Sequence, residues 1–241
     1  MVTADRPEFV KRSIDCFRTQ TYGTAALVIY DTGKEPLKLD AGGFLLHHVH
    51  EEVDGLPVGA LRNNANRIVG ADVIVHWDDD DWSHPNRIAE QVALLKETGA
   101  DCVGYNDMLF WRTRCLTLEG AVSEMHSIES DAWLYKHHRA NYALGTSLCY
   151  WRSTWEAKQF KDHLGAKSGG TGEDHEWIQD MKLHSTSSYL EQISAAEWRN
   201  DPRMIARIHG QNTSGQYQSI ESSASWQRVP QWDERLRELF G

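Results

Sequence analysis

The chain reads as an α/β fold with a mostly parallel central sheet flanked by helices, and three observations predict it. Short apolar runs alternate with amphipathic stretches from residue 1 to about residue 105, the pattern of successive strand–helix–strand units. Two of those runs stop at aspartates: one at Asp31, the other at the unbroken series Asp78, Asp79, Asp80 and Asp81. In parallel α/β sheets, ligands bind at the carboxyl ends of the strands, so acidic strand ends and alternation point the same way.

Met1, Val2 and Thr3 form the stub of a first strand, unusually short, as if the chain began a few residues late. Pro7 and Glu8 then open a helix, because the fixed φ of proline suits a first turn and Val10, Ile14 and Phe17 fall on one face. Residues 26–30 are a continuous apolar strand closed by the turn Asp31-Thr32-Gly33. Residues 44–46 make a short strand, 59–69 a helix and 73–77 a second apolar strand. Residues 85–98 form a helix with Ile88, Val92 and Leu95 in register, and 101–105 return to strand. Beyond this the pattern is less regular. Residues 108–118 fit a hairpin, 144–151 a strand, and 173–182 a helix that follows the glycine-rich loop Ser168-Gly169-Gly170-Thr171-Gly172. A polar stretch (Asn212 to Gln216, then Ser222 and Ser223) leads to a closing helix over 233–240. With no internal repeat and no linker, residues 1–241 are expected to form one domain.

Bulk composition excludes several classes. Asp and Glu number 35 against 25 Lys and Arg, a formal charge of -10, which disfavours a sequence-independent grip on nucleic acid. Cys16, Cys102, Cys115 and Cys149 are scattered, without a C-x-x-C pair, as in a reduced cytoplasmic protein. No apolar run approaches the ~20 residues needed to cross a bilayer. Asp5, Arg6 and Glu8 rule out a secretory signal at the N-terminus. The expected location is the cytoplasm. Ten tryptophans supply material for stacking as well as for a core; Trp151, Trp155 and Trp177 are open to either use.

Four adjacent carboxylates at the end of a buried strand repel one another, and capping a following helix does not require four. A hard divalent cation such as Mg²⁺ or Mn²⁺ does ask for such oxygens, and commonly shares its remaining positions with substrate phosphates. His47, His48 and His50 with Glu51 and Glu52 superficially suggest a zinc site, but lack further ligands at a recognised spacing; a solvated connection is the better expectation. His137 and His138 carry less weight still.

The residues resemble a known family in order along the chain. Thr3, Asp5, Arg6 and Pro7 look like the opening turn of family-2 glycosyltransferases, usually Pro-Thr-Tyr-Asn-Arg, with Asp5 where Asn is usual. Asp31 falls where that family contacts the nucleotide base. Gly59, Ala60, Leu61, Arg62 and Asn63 resemble its Gly-x-Ala-Arg-Asn helix start. Asp78, Asp79 and Asp80 look like its Asp-x-Asp, and Glu173 and Asp174 like its Glu-Asp catalytic motif. The match runs from residue 1 to about 215. The Gln-x-x-Arg-Trp of processive polysaccharide synthases is absent.

The resemblance implies a GT-A-like, Rossmann-type sandwich: residues 1–107 bind a nucleotide sugar, 108–215 bind the acceptor and carry catalysis, and 216–241 form a C-terminal tail. It implies a metal-dependent inverting transfer from a nucleotide-diphosphate sugar, a UDP-sugar for preference, to the hydroxyl of a carbohydrate or other acceptor. Thr3, Asp5, Arg6, Asp31, Arg62, Asn63, Asp78, Asp79 and Arg207 are expected around the donor. Asp80, with Asp78, Asp81 and His209, is expected to hold Mn²⁺ or Mg²⁺, and Asp174, with Glu173 as the competing residue, to act as general base. Two other readings stay open: a nucleotidyltransferase on a related α/β fold, which would normally show glycine and a basic residue after the first strand, and a non-catalytic nucleotide- or carbohydrate-binding module.

Overall fold

The computed structural model describes residues 1–40, 43–115, 127–137, 141–162, 172–189, 201–209, 220–221 and 223–240. Residues 168–171 of the glycine-rich loop, the polar stretch 212–216, Ser222 and His138 lie outside them. The elements are β1 (Val2–Thr3), α1 (Pro7–Arg18), β2 (Ala26–Asp31), β3 (Leu45–His50), α2 (Val58–Ile68), β4 (Val73–Val75), β5 (Trp82–Ser83) and α3 (Arg87–Thr98). Then come β6 (Cys102–Cys115), β7 (Ser127–Lys136), a 3₁₀ turn (Gly145–Ser147), β8 (Cys149–Trp151), α4 (Arg152–Ala157) and α5 (Glu173–Ile178). The chain closes with β9 (Leu183–Ser187), β10 (Met204–Ile208), β11 (Trp226–Arg228), a second 3₁₀ turn (Pro230–Trp232) and α6 (Asp233–Phe240).

The helices form for the reasons the sequence offers. Pro7 sits in the first turn of α1, whose face of Phe9, Val10, Ile14 and Phe17 is buried. Helix α3 buries Ile88, Val92 and Leu95 and stops at Gly99, whose φ of 57° is the left-handed conformation glycine adopts without cost. Both helices pack with Leu27, Ile29 and Trp77 into one apolar cluster. Among the described residues, no helix is long and apolar enough to cross a membrane.

The sheet departs from the expected one. Strands β1, β2 and β3 pair in parallel, as alternation predicts. The larger, eight-stranded sheet is mixed, with order β11-β7-β6-β10-β5; β8 joins β4 to β6, and β9 also pairs with β6. Its parallel pairings are β6 with β9 and with β10; the remaining five are antiparallel. Parallel pairing needs a crossover long enough to return the chain, and beyond residue 100 the helices that would supply one are short. Residues 102–105 and 108–115, expected as parts of a strand and of a separate hairpin, belong to one long strand, β6, whose antiparallel partner is β7; residues 116–118 of the expected hairpin lie outside the described residues. The expected helix 173–182 ends at Ile178, and Leu183–Ser187 instead joins the sheet beside β6.

The histidine-rich segment is no solvated connection. It is β3, paired with β2 over six residues, with His48 bonded to Asp31 and His50 to the Gly33 carbonyl. Trp155 and Trp177 are buried core residues, and Trp151 is half-buried with its indole N–H donated to the Ala100 carbonyl.

Candidate active site

Strand ends converge on one hollow. Asp78 to Asp81 follow β4, Thr3 and Arg6 flank the end of β1, and Arg207 and His209 come from β10, parallel to the long strand β6. The four aspartates do different things. Asp79 accepts from Thr3 Oγ1 at 2.6 Å and Arg6 Nη1 at 3.1 Å. Burial and the neighbouring Asp80 push its carboxyl up to about 6. Both oxygens of Asp81 are taken, one by Thr146 Oγ1 and the other by the Arg207 backbone N–H. Burial, Asp80 and Asp78 raise its pKa well above the carboxylate range. Asp80 faces His209, with Oδ2 and Nε2 3.0 Å apart and Arg6 Nη1 at 3.5 Å. Asp78 is half-buried, and partial burial works against its charge, but Arg62, Thr146 and His76 outweigh that and hold its pKa low.

Phe9 organises the far wall. Its ring stacks on His209 with centroids 5.2 Å apart and planes 15° apart, and the Arg207 guanidinium lies over it at 4.8 Å. Phe9, buried on α1, thus fixes both Arg207 and His209 beside the acidic run.

The second carboxylate pair, Glu173 and Asp174, meets the acidic run through Arg62 and the Gly145–Ser147 turn. Arg62 of α2 reaches between the two: Nη1 is 2.9 Å from Glu173 Oε1 and Nη2 4.0 Å from Asp78 Oδ1. Burial works against its charge, but Glu173, Asp78 and Asp174 more than offset that. Arg62 Nη1 is out of line for a hydrogen bond to Glu173 and has no hydrogen-bond partner among the described residues. Asp174 packs directly on Gly145, and its Oδ1 accepts from the His175 N–H at 2.9 Å. The Gly145–Ser147 turn therefore touches both carboxylate groups, through Thr146 to Asp81 and through Gly145 to Asp174. Arg87 anchors that turn, donating to the Thr146 carbonyl and to the His76 carbonyl at the end of β4. His76, pushed down to about 3 chiefly by burial, bonds the Gly145 carbonyl from its other side.

Several expected donor residues have other employment. Asp31 is fully buried and accepts from the Gly33 and Leu37 N–H groups and from His48. Asn63 is 1% exposed, and its amide is saturated by the Phe160 carbonyl, Asp162, Trp155 Nε1 and the Phe160 N–H. Both shape the walls of the domain and do not open onto the hollow. Asp5 has φ 53° and accepts from the Lys34 N–H, tying the end of β1 to the turn after β2. A side chain at Gly33 would meet Asp5 at 2.8 Å, which accounts for glycine there. Sequence reasoning missed Phe9, Gly145, Thr146 and Arg87; none belongs to a spaced motif, and only their tertiary partners reveal them.

The donor set suits a hard cation in part. Asp80 and His209 form an adjacent carboxylate–imidazole pair, whereas both oxygens of Asp81 are already bonded to Thr146 and to the Arg207 N–H; among the described residues, no three His, Cys, Asp or Glu side chains are placed to hold a metal by themselves. Two protein ligands, with phosphate oxygens and water in the remaining positions, is the arrangement such ions commonly take beside a nucleotide.

Residues 1–108 match the family model described as Glycosyl transferase family 2, as the motifs implied. TarS of S. aureus is similar in structure, with a TM-score of 0.56 at 14% identity over 86% of this chain and 36% of that one. TarS 1–349 in complex with UDP-GlcNAc gives 0.55 at 14% identity over 90% of this chain and 59% of its own. Mannosyltransferase PcManGT from Pyrobaculum calidifontis, in complex with GDP-Man and Mn²⁺, gives 0.50 at 13% identity over 99% and 68%. The chain thus spans less than two thirds of the TarS chains it matches, and these likenesses establish a mixed α/β, GT-A-type fold. No curated protein matches it by sequence.

Proposed function

We propose that this chain, whose first 108 residues match glycosyl transferase family 2, transfers a sugar from a nucleotide-diphosphate donor to an acceptor hydroxyl with inversion at the anomeric carbon. The observation that carries the proposal is the proximity of the two carboxylate groups: Arg62 lies between Asp78 and Glu173, and the Gly145–Ser147 turn contacts both groups. Donor and acceptor chemistry need those two groups to face each other across a single cleft.

Asp80 and His209 are the residues to hold Mn²⁺ or Mg²⁺, and a bound ion would supply counter-charge for the departing diphosphate. Arg62 offers a buried, charged guanidinium with an unused N–H, suited to a diphosphate oxygen. Arg6 and Thr3 hold Asp79 in place, so the acidic run keeps its shape before a donor arrives. Asp174 takes the proton of the acceptor hydroxyl as its oxygen attacks the anomeric carbon and the bond to the diphosphate breaks on the opposite face. Glu173 suits this task less well, because Arg62 already neutralises it. UDP-sugars are the first donors to test and GDP-mannose the second.

Thermal unfolding with UDP-GlcNAc, UDP-glucose and GDP-mannose, each with and without Mn²⁺, tests the reading. A donor that stabilises the chain only with Mn²⁺, and no longer does so in Asp80→Asn, supports it. Absence of any shift across all donors at millimolar concentration contradicts it.

A further inference from the structure

Behind the Gly145–Ser147 turn, three buried polar side chains form a single line. Asn66 Nδ2 lies 2.8 Å from the Tyr150 hydroxyl, and that hydroxyl lies 3.0 Å from His76 Nε2. His76 Nδ1 lies 2.6 Å from the Gly145 carbonyl oxygen. All three side chains are buried, so these bonds are made away from bulk water, where an unmatched group is costly.

Chemistry fixes the direction of each bond. A carbonyl oxygen only accepts, so His76 Nδ1 carries the hydrogen. Burial and the nearby Arg62 keep the imidazole neutral, which leaves Nε2 a bare lone pair. Burial also holds the Tyr150 phenol in its protonated form. Tyr150 therefore donates to Nε2, and its own oxygen accepts from the Asn66 amide. One arrangement satisfies every group in the line.

Tyr150 is the hub. It lies on β8, between Ile74 of β4 and Cys102 of β6. Its ring packs against buried Trp177, with centroids 4.8 Å apart. Trp177 belongs to α5, whose first turn carries Glu173 and Asp174. Tyr150 thus supports Asp174 from two directions: its ring steadies the helix, and its hydroxyl, through His76, holds the glycine on which Asp174 packs. Asn66 lies one turn beyond Arg62 on α2. The helix that sets Arg62 between Asp78 and Glu173 also closes this line.

We infer that Tyr150 and His76 are positioning residues for Asp174, acting through the Gly145 carbonyl and through Trp177. The inference rests on the reading of Asp174 as the base of a glycosyl transfer.

Tyr150→Phe deletes one hydroxyl and keeps the ring on Trp177. Nucleoside diphosphate release from UDP-GlcNAc and GDP-mannose, with Mn²⁺ and water as acceptor, should fall about tenfold. The thermal shift given by the same donors should not change. In ¹H–¹⁵N spectra the Gly145, Asp174 and His175 amide signals should move. His76→Leu removes the N–H aimed at Gly145 and should cost about 100-fold. His76→Asn, whose amide can still donate to that carbonyl, should recover most of this loss, and this pair carries the test if Tyr150→Phe does not fold. Parental turnover in Tyr150→Phe, donor binding lost in step with turnover, or His76→Asn no better than His76→Leu overturns the inference. A parent chain that releases no nucleoside diphosphate contradicts the glycosyltransferase reading instead. The spectra then decide the inference: unmoved Asp174 and His175 signals overturn it.

Discussion

Gly145 and Asp174 occupy one small space. A Cβ on Gly145 would fall 1.6 Å from Asp174 Oδ2 and 2.4 Å from its Cγ, so the candidate base rests on a bare Cα. The same 3₁₀ turn carries Thr146, whose hydroxyl is bonded to Asp81. Gly145→Ala must push Asp174 off its seat while leaving the acidic run nearly in place. Turnover should fall by about 100-fold, the scale of an ångström-sized misplacement of a catalytic group, with donor affinity changed little. Steady-state kinetics alongside donor titration checks this; turnover within about twofold of the parent chain would remove the positional role from Gly145.

Arg62 is the only described cation set between Asp78 and Glu173, and its side chain is 14% exposed. Arg62→Met leaves two half-buried carboxylates uncompensated and should cost about 1–2 kcal/mol of stability, read by urea unfolding. Adding Glu173→Gln should recover part of that loss, because one of the stranded charges disappears. Donor binding should stay weak in both variants.

The Met1 ammonium gives a pH dependence with a definite sign. Burial moves it from 8.0 to about 6, with Asp78 and Asp79 opposing and Arg62 assisting the shift. Between those values the unfolded chain holds more protons than the folded one, so stability rises with pH. The penalty is fully present below about pH 6, amounts to roughly 3 kcal/mol and is gone above about pH 8. Acetylating the amino group should flatten this rise, measurable as unfolding free energy at pH 5.5, 7 and 8.5. An unchanged slope would assign it to other groups.

His209 contributes through Asp80 and through its stack on Phe9. His209→Ala should weaken Mn²⁺-dependent stabilisation by a donor at least tenfold in apparent affinity, while Phe9→Leu, which removes the stack but keeps the burial, should weaken it less. Equal donor response in His209→Ala and the parent chain would exclude the imidazole from the ion site.

The sequence made the first half of the fold legible because there the local signals and tertiary outcome agree. Apolar runs of the right length became β2 and β4, and Pro7 and Gly99 sit at the helix ends where their backbone preferences place them. The acidic run was legible as a feature because four adjacent like charges call for partners, which the structure supplies in Thr3, Arg6, Thr146 and His209. The second half was not. Strand β6 runs 14 residues and takes four partners along its length, so its pattern reports several neighbours at once. Strands β7, β9 and β11 are defined by pairing rather than by alternation. Residue type alone does not tell a carboxylate or amide that faces a cleft from one, like Asp31 or Asn63, whose hydrogen bonds are filled by its own loop or by a distant segment. Gly145 and Thr146 were invisible for the converse reason: a glycine and a threonine in an irregular turn acquire their role only when Asp174 and Asp81 arrive beside them.

The central claim is that the acidic strand end and Asp174 act on one donor from opposite sides of a cleft. Release of nucleoside diphosphate from a nucleotide sugar, with Mn²⁺ and an added hydroxyl acceptor, tests it most directly in the parent chain, Asp80→Asn and Asp174→Asn. The account predicts nucleoside diphosphate from the parent, a loss of about 10³-fold in either variant, and donor binding that survives in Asp174→Asn but fails in Asp80→Asn. Release of pyrophosphate instead, or near-parental turnover in both variants, would contradict it.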